Sequence, residues 1–320
     1  MDTKKYKLGI AGLGPVGMIL AVNFKQAGCN VVICDTNKTK VNLIKNEGIK
    51  LIDKTEYTTF FDYITMNIDE MLDYNIDMLI SCVKTFRVDK MLQILIRRNA
   101  DFYILSAQNG IDIGLKYTQV LSESKILRMV VNFAGKLLVP NTVKETVFNP
   151  PHYIGSINDT CKDVAEWIAG ILTFRGQETV ALNSFRLNDE VWKKTILISC
   201  ISPLCGISGL TIEEALKSSD TIEVIEQTIL EGMNIAKYER IKFDDNFVKL
   251  CLRYLKNAGA HFPSLGVDIL AGGETEIDYI NGKIVEYGRK HYIQTPLNLT
   301  FTNLVNAVTK KNLNGFAASK

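Results

Sequence analysis

The sequence predicts an α/β protein with a parallel, doubly wound sheet in its N-terminal part and a helical region after it. Two observations support this prediction. From residue 7 to about 135, short apolar strands alternate with amphipathic helices, a pattern typical of a parallel sheet covered by helices. From about residue 183 onward, apolar residues recur with helical periodicity. We therefore expect two domains, residues 1–182 and residues 183–320.

The elements of the first region can be assigned in order along the chain. Gly28 and Gly48 are placed to end the first two helices, because glycine readily adopts the left-handed conformation found there. The stretch 126–157 is β-rich and contains Pro150-Pro151, and a further helix is expected at 163–174. The other expected strands are 7–13, 30–35, 78–84 and 102–107, and the other expected helices are 15–27, 38–46 and 88–98.

The composition is that of an ordinary globular protein and indicates no nucleic-acid or membrane partner. Hydrophobic residues make up 47% and charged residues 22% of the 320 residues, and the net charge is +2. The run 195–212 is uncharged, but its serines and glycines make it too polar for a membrane span. We expect a buried helix there that ends near Pro203. The first residues show no apolar leader, so no signal peptide is expected.

The cysteines and histidines indicate a reducing compartment and no metal site. Seven cysteines are scattered without a C-x-x-C pair, which is typical of free thiols in the cytoplasm, where we expect the protein. His152, His261 and His291 lie far apart without ligand spacing, so each is interpreted as a surface or packing residue. A homodimer is compatible with the sequence, which does not decide the oligomeric state.

A glycine-rich turn follows the first predicted strand and begins the first predicted helix. In that context a G-x-G-x-x-G spacing indicates a dinucleotide site. The first glycine permits the tight turn, the second lets backbone approach the pyrophosphate, and the third lets helix pack on strand. A glycine-rich turn without a ligand is the alternative. The residues of the motif are Gly12, Leu13, Gly14, Pro15, Val16 and Gly17.

Asp35 ends the second predicted strand. A carboxylate there accepts hydrogen bonds from the adenosine ribose diol and repels a 2′-phosphate, which favours NADH as the cofactor. Lys38 and Lys40 lie nearby and could bind a 2′-phosphate, so NADPH is not excluded. The alternative is that Asp35 caps the next helix.

Three further polar residues are candidates from their positions. Lys84 and Asn109 follow the third and fourth strands, at the edge where open α/β sheets bind ligands. A surface lysine and an Asn-Gly turn are the alternatives. Lys194 lies beside Trp192 in an apolar helical stretch, which makes it a candidate proton donor, whereas Lys193 is expected to be solvated. A lysine that buries only its stem is the alternative for Lys194.

Together and in this order, the motifs resemble those of ketopantoate reductases (2-dehydropantoate 2-reductases) over essentially the whole chain. The most specific match is the C-terminal one, in which Ser264 lies 12 residues before Glu276. The glycine motif alone would indicate only nucleotide binding. The matching segments are residues 12–17, 82–84, 108–110, 192–194, 202–204, 263–264 and 275–282.

The resemblance implies an N-terminal Rossmann-type doubly wound sheet, an all-helical C-terminal domain of the 6-phosphogluconate-dehydrogenase-like kind, and an active site between them. It implies that Lys194 protonates the ketone oxygen of a small 2-oxo acid while hydride arrives at carbon. Ser264 would hold the substrate carboxylate, and Asn109 would lie near nicotinamide and substrate. Glu276 would orient Lys194 beside the nicotinamide ribose. The implied reaction is NAD(P)H-dependent reduction of ketopantoate to pantoate, in pantothenate and coenzyme A biosynthesis.

Two features depart from the family pattern. Asparagines that grip the substrate in the family, four and eight residues after the lysine, are Ile198 and Ser202 here. Ser202 can still bind the substrate through a hydrogen bond, but Ile198 cannot. A different 2-oxo acid or an imine is therefore an alternative substrate, and a nucleotide-binding regulator without catalysis is a further alternative. The other departure is Asp35, because many family members use NADPH.

Overall fold

The structure is a computed structural model that describes residues 2–53 and 55–314. The chain forms two compact units. The first contains the N-terminal residues up to 108 together with residues 112–187, and the second contains residues 109–111 together with those from 188 onward. The domain boundary that we place at 182/183 from the sequence stays a prediction.

The first unit contains a main sheet of eight strands, in the order β12-β11-β8-β7-β6-β1-β2-β5, and a second sheet in the order β4-β3-β10-β9. All neighbours from β8 to β5 are parallel, whereas β11 runs antiparallel to β8. The predicted parallel, doubly wound sheet is therefore confirmed. The strands are β1 Lys7–Ala11, β2 Asn30–Cys34, β3 Ile49–Ile52, β4 Glu56–Thr59, β5 Tyr63–Thr65, β6 Met78–Ser81, β7 Tyr103–Ser106, β8 Ile126–Val130, β9 Phe133–Val139, β10 Thr142–Phe148, β11 His152–Ser156 and β12 Thr179–Ala181.

The helical part of the fold is also confirmed, since helices dominate residues 184–314. Helices α1–α6 belong to the first unit, and most of α7 with α8–α13 belongs to the second. Among the described residues, none of the helices is both long enough and apolar enough to cross a membrane. The helices are α1 Pro15–Gln26, α2 Lys38–Glu47, α3 Ile68–Leu72, α4 Val88–Arg97, α5 Ile113–Lys116, α6 Lys162–Phe174, α7 Ser184–Ser208, α8 Ile212–Ala215, α9 Ser219–Tyr238, α10 Phe247–Ala258, α11 Ser264–Leu270, α12 Asn281–Lys290 and α13 Pro296–Asn314.

Strand β2 shows why the main sheet needs helices on both faces. Val31 and Ile33 belong to one buried cluster with residues of α1 and α6, whereas Val32 and Cys34 belong to another with residues of α4. Successive side chains of a strand point to opposite faces, so a strand buried on both faces must be apolar throughout. This explains the continuous apolar runs from which the strands were predicted.

The sequence did not predict the segment from residue 49 to residue 77. It forms β3, β4, β5 and α3, and the second sheet pairs β3 with β10, far along the chain. Exposed residues interrupt its apolar pattern, as in β4, where only Thr59 is buried. The β-rich stretch near residue 130 also divides between the two sheets, β8 joining one and β9 the other.

Helix α7 continues through Pro203, so the prediction that it ends there was wrong. Proline lacks the N–H that would bond the carbonyl of Ser199, four residues earlier. That carbonyl instead accepts a hydrogen bond from the side-chain amide of Asn281, at 3.0 Å. The same amide nitrogen donates to Asn298 Oδ1 at 2.9 Å, and both asparagines are fully buried. A distant side chain thus replaces the missing backbone donor.

We predict that Asn281→Ala destabilises the protein mainly by leaving the Ser199 carbonyl unpaired, at a cost of about 1–3 kcal/mol. Pro203→Ala restores a backbone donor to that carbonyl, so Asn281→Ala should cost less in the Pro203→Ala background. Thermal unfolding midpoints of the four proteins of this cycle measure the difference. The lost bond to Asn298 is common to both backgrounds and cancels. An equal loss in both backgrounds would contradict the explanation.

Candidate functional site

Two glycines of the first turn fix the end of β1 against its neighbours. Gly12 has φ +90°, and a Cβ there would lie 2.7 Å from the backbone nitrogen of Val83. A Cβ on Gly17 would lie 1.9 Å from the carbonyl oxygen of Gly12. Both positions therefore require glycine, because turn, helix and neighbouring strand approach each other through backbone atoms.

Gly14 serves a different purpose, because it borders open space. Its backbone, at φ −75° and ψ −175°, is one that any residue can adopt. A Cβ there would meet no atom of the described residues within 4 Å, beyond its chain neighbours. Gly14 is also the N-cap of α1, and because it has no side chain, no side-chain cap covers the first turn of the helix. The first N–H groups of this helix, with room before them, suit the pyrophosphate of a dinucleotide.

Asp35 binds the glycine turn directly. Its Oδ2 accepts hydrogen bonds from the N–H of Leu13 at 2.9 Å and from Lys40 Nζ at 3.0 Å. Its Oδ1 accepts one from the N–H of Asn37 at 2.9 Å. A carboxylate oxygen accepts about two hydrogen bonds, so Oδ1 keeps one position for a ribose hydroxyl. Asn37, rather than Asp35, caps helix α2, by accepting from the N–H of Lys40.

Lys40 is also bonded to the glycine turn. Its Nζ also donates to the carbonyl of Leu13 at 2.8 Å, and the side chains of Lys40 and Asp35 are each only 12% exposed. Lys38, the other lysine that could meet a 2′-phosphate, is exposed. The ion pair therefore holds the glycine turn against the end of β2. Because Lys40 is already bonded to Asp35 and Leu13, it is poorly placed to bind a ligand as well.

A buried polar network lies where β6 and β7 end, just before Lys84 and Asn109. Gln108 donates to Ser81 Oγ at 2.6 Å and to Tyr117 Oη at 3.0 Å, and it accepts from Ser106 Oγ at 2.6 Å. Burial raises the pKa of Tyr117 to about 12, so this phenol stays protonated. The sequence did not indicate this network. It holds the two strand ends in place, and Lys84, half-buried, follows as the N-cap of a short 3₁₀-helix.

Within the second unit, the turn carrying Asn109 is held against the segment that follows Glu276. Gly110 has φ +110°, and a Cβ there would lie 2.5 Å from the carbonyl oxygen of Tyr279. The N–H of Ile111 donates to that same oxygen at 3.3 Å. Glu276 is 8% exposed and Asn109 is half-buried. The structure thus brings together two segments that the sequence singled out separately.

Lys194 lies at one of the partly exposed positions in the mostly buried stretch of α7. Between residues 191 and 206 of α7, only Lys193, Lys194 and Ile198 are not buried. Lys193 pairs with Glu190 at 2.9 Å. The Lys194 ammonium donates to Tyr254 Oη at 2.9 Å and lies 4.7 Å from the centroid of the same ring. Both contacts fix the position of a positive charge.

Helix α10 and the loop after it bring two more titratable groups towards Lys194. Burial raises the pKa of the Cys251 thiol to about 12, against the opposing charge of Lys194. Burial, and then the charge of Lys194, lower the pKa of His261 below its usual value, so its imidazole is neutral at neutral pH. We did not predict Tyr254 as a site residue, and we interpreted His261 as a surface or packing histidine. No local motif marks either residue.

The predicted substrate residues Ser202 and Ser264 lie on two helices that cross closely. A Cβ on Gly206 of α7 would lie 3.2 Å from the Cα of Gly266 in α11. Ser264 is the first residue of α11 and is exposed, whereas Ser202 is 7% exposed. The glycine crossing therefore seats the helix that begins with Ser264 on the C-terminal part of α7.

Ile198, one helical turn after Lys194, belongs to an apolar surface. It packs, half-buried, against a buried cluster that includes Leu265 and Ile277, the neighbours of Ser264 and Glu276. The side chain in place of the family's asparagine is thus part of a hydrophobic core. The cluster consists of Leu265, Ile269, Ile277, Ile280 and Val305.

Comparison with protein families matches both parts of the chain. Residues 8–159 match the family model described as ketopantoate reductase PanE/ApbA, and residues 186–309 match the model of its C-terminal domain. A 2-dehydropantoate 2-reductase of Pyrococcus horikoshii is 26% identical over 318 residues, covering 97% of this chain and 99% of the relative. One of Aquifex aeolicus is 25% identical over 320 residues, covering 96% and 98%.

Solved structures share the fold. D-mandelate dehydrogenase, in a ternary structure with NADH and anilino(oxo)acetate, superposes with a TM-score of 0.84 at 24% identity, covering 96% of this chain and 99% of that one. The 2-dehydropantoate 2-reductase of Geobacter metallireducens gives a TM-score of 0.83 at 18% identity, covering 94% and 99%. At these identities the likeness concerns the fold alone.

We predict that Gly14→Ala folds normally but binds NADH at least about tenfold more weakly, equivalent to roughly 1.4 kcal/mol. The added methyl group would meet only open space in the protein, but it would occupy the space assigned to the pyrophosphate. Isothermal titration with NADH measures the affinity. Gly114→Ala is the control, because its Cβ would meet its nearest neighbour at an ordinary 3.5 Å. Equal affinities of the Gly14→Ala and wild-type proteins would refute the assignment.

Proposed function

Because this chain belongs to the ketopantoate reductase family, a family of oxidoreductases, we propose that it reduces a 2-oxo acid with a nicotinamide cofactor. Ketopantoate (2-dehydropantoate), for which the curated relatives are named, is the first candidate substrate. The observation that supports this proposal best is the position of Lys194. Its ammonium is fixed by Tyr254 on a mostly buried stretch of α7, where it can meet a substrate oxygen.

Lys194 acts as the general acid of the proposed reaction. A nicotinamide held at this site would supply a hydride to the carbonyl carbon, so that negative charge develops on the carbonyl oxygen. Lys194 stabilises this charge and transfers a proton to the oxygen, which yields the hydroxyl group. Tyr254 takes only one of the three ammonium N–H groups, so the other two remain for the substrate oxygen and for Glu276.

In this proposal the remaining site residues bind the substrate and the nicotinamide or orient Lys194. Ser264 binds the substrate carboxylate, and Ser202 donates a second hydrogen bond to the substrate. Asn109 contacts nicotinamide and substrate, and Glu276 orients the Lys194 ammonium. Support comes from the family motif, and from the contacts that hold the Asn109 turn to the residues after Glu276.

The cofactor is bound in this proposal by the glycine turn and by the carboxylate beside it. Residues 12–17 cradle the pyrophosphate, and Lys84 lies on the nicotinamide side. The open position of Asp35 Oδ1 accepts a ribose hydroxyl, whereas a 2′-phosphate offers only oxygens there and no donor. Because Lys40 is already bonded to Asp35 and Leu13, we propose that NADH is preferred over NADPH. Rates of ketopantoate reduction with the two cofactors test this preference.

We predict that Lys194→Ala lowers kcat by about 10²–10⁴-fold, the usual contribution of a general acid. NADH affinity should change little, because Lys194 is not assigned to the cofactor. Steady-state reduction of ketopantoate and direct NADH titration measure the two effects. Lys193→Ala is a matched control, since its neighbouring ammonium pairs with Glu190 and should leave kcat near the wild-type value. Unchanged turnover by Lys194→Ala would rule out the role of the lysine.

A second candidate substrate is a 2-oxo acid with an apolar side chain. Ile198 packs on the apolar cluster beside Lys194 and offers no hydrogen bond to the hydroxyl of ketopantoate. The D-mandelate dehydrogenase structure contains anilino(oxo)acetate, an oxo acid with an anilino group. The surface around Ile198 favours an apolar group at the corresponding place, because a buried hydroxyl without a partner is costly.

The apolar candidate predicts that wild-type protein reduces trimethylpyruvate, which equals ketopantoate without its hydroxyl, at least as efficiently as ketopantoate. Ile198→Asn should shift the kcat/KM ratio of the two acids towards ketopantoate by about tenfold or more, because a polar site discriminates for a hydroxyl. Ile207→Asn, at the exposed end of the same helix, is the control. A wild-type preference for ketopantoate that Ile198→Asn leaves unchanged would contradict the apolar substrate.

A further inference from the structure

Tyr254 is the residue through which the protein holds Lys194. It lies on α10, between the buried residues Cys251 and Leu255, and is itself half-buried. Its hydroxyl accepts the Lys194 hydrogen bond at 2.9 Å, and its ring lies 4.7 Å from the same nitrogen. One side chain therefore provides both a hydroxyl dipole and a nearby aromatic ring to the charge.

The two contacts have separate consequences. The ring attracts the ammonium without regard to the direction of its N–H bonds, whereas the hydroxyl fixes one bond and thereby orients the other two. A phenol hydroxyl also donates one hydrogen bond of its own. Since Tyr254 is half-buried, its hydroxyl can connect the lysine to water. Cys251 and His261 are the other titratable groups that act on Lys194 from this side.

We propose that the Tyr254 hydroxyl returns a proton to Lys194 after each turnover. This inference rests on the proposed reductase function, in which Lys194 gives a proton to the oxygen of the reduced ketone. The lysine is then a neutral amine whose lone pair accepts the phenolic proton. The phenolic oxygen takes a proton from solvent water in exchange, so that one solvent proton is consumed in each turnover. Cys251 does not serve in its place, because burial raises the pKa of its thiol to about 12 and so makes it a poor proton donor.

Tyr254→Phe tests the inference, because it keeps the ring and removes the hydroxyl. We expect kcat for the 2-oxo acid to fall roughly tenfold, a moderate effect for a group that assists an acid catalyst. The KM values for oxo acid and NADH should stay close to wild type. Added imidazole buffer should raise kcat of this variant by supplying protons, but should not raise kcat of the wild-type protein. Tyr292→Phe, in which the tyrosine is 97% exposed, is the matched control.

The titration of His261, followed by NMR, shows whether Lys194 stays charged and in place. Removing the charge in Lys194→Ala should raise the pKa of His261, because the charge lowers it in the wild-type protein. In Tyr254→Phe, the pKa of His261 should remain at its wild-type value. His261→Gln identifies the resonance.

The outcomes separate this inference from the proposed function. A wild-type kcat in Tyr254→Phe, or a loss of kcat that buffer does not relieve, would overturn the role of Tyr254 while leaving that of Lys194 intact. Full activity of Lys194→Ala, by contrast, would overturn the proposed function itself.

Discussion

The hydrogen bond from Asn281 to the carbonyl of Ser199 is the interaction on which the second unit depends. It lets α7 continue through Pro203, so that Lys194 before the proline and Gly206 after it lie on one helix. The network extends from Asn281 to Asn298, whose side chain donates to Glu231 at 2.7 Å. Buried amides thus connect α7, α9, α12 and α13.

Close contacts with other helices also hold α7, the helix that carries Lys194, in position. A Cβ on Gly232 of α9 would lie 2.9 Å from the side chain of Ile196, and the Gly206–Gly266 crossing brings α11 against α7 in the same way. Each crossing depends on a missing side chain, so that helices approach more closely than ordinary residues allow. At these two crossings, glycine backbone and apolar side chains support the helices that carry the polar site residues.

The sequence predicted those features that depend on local spacing. The glycine turn, Asp35 and the buried stretch around Lys194 were recognisable because their chemistry follows from neighbouring residues and helical or strand periodicity. The partners of these residues were not recognisable. Tyr254 lies 60 positions after Lys194, and Asn281 lies 82 positions after Ser199. For the same reason the prediction of a helix end near Pro203 was wrong. The local segment shows the proline that interrupts the backbone hydrogen bonds, but not the distant amide that compensates for it. The sequence likewise did not predict the ion pair between Asp35 and Lys40.

Charge and apolar surface meet on one turn of α7, and under the proposed function this combination constrains the substrate. A partly buried ammonium is unfavourable unless it is compensated, and the hydroxyl and ring of Tyr254 provide that compensation. One turn later Ile198 joins the apolar cluster and offers nothing to a polar group. A ligand that fits both positions carries an oxygen for Lys194 and an apolar group for Ile198. A substrate hydroxyl beside Ile198 would need a hydrogen-bond partner other than Ile198, such as a water molecule. A water molecule there would reduce the apolar contact that the cluster provides.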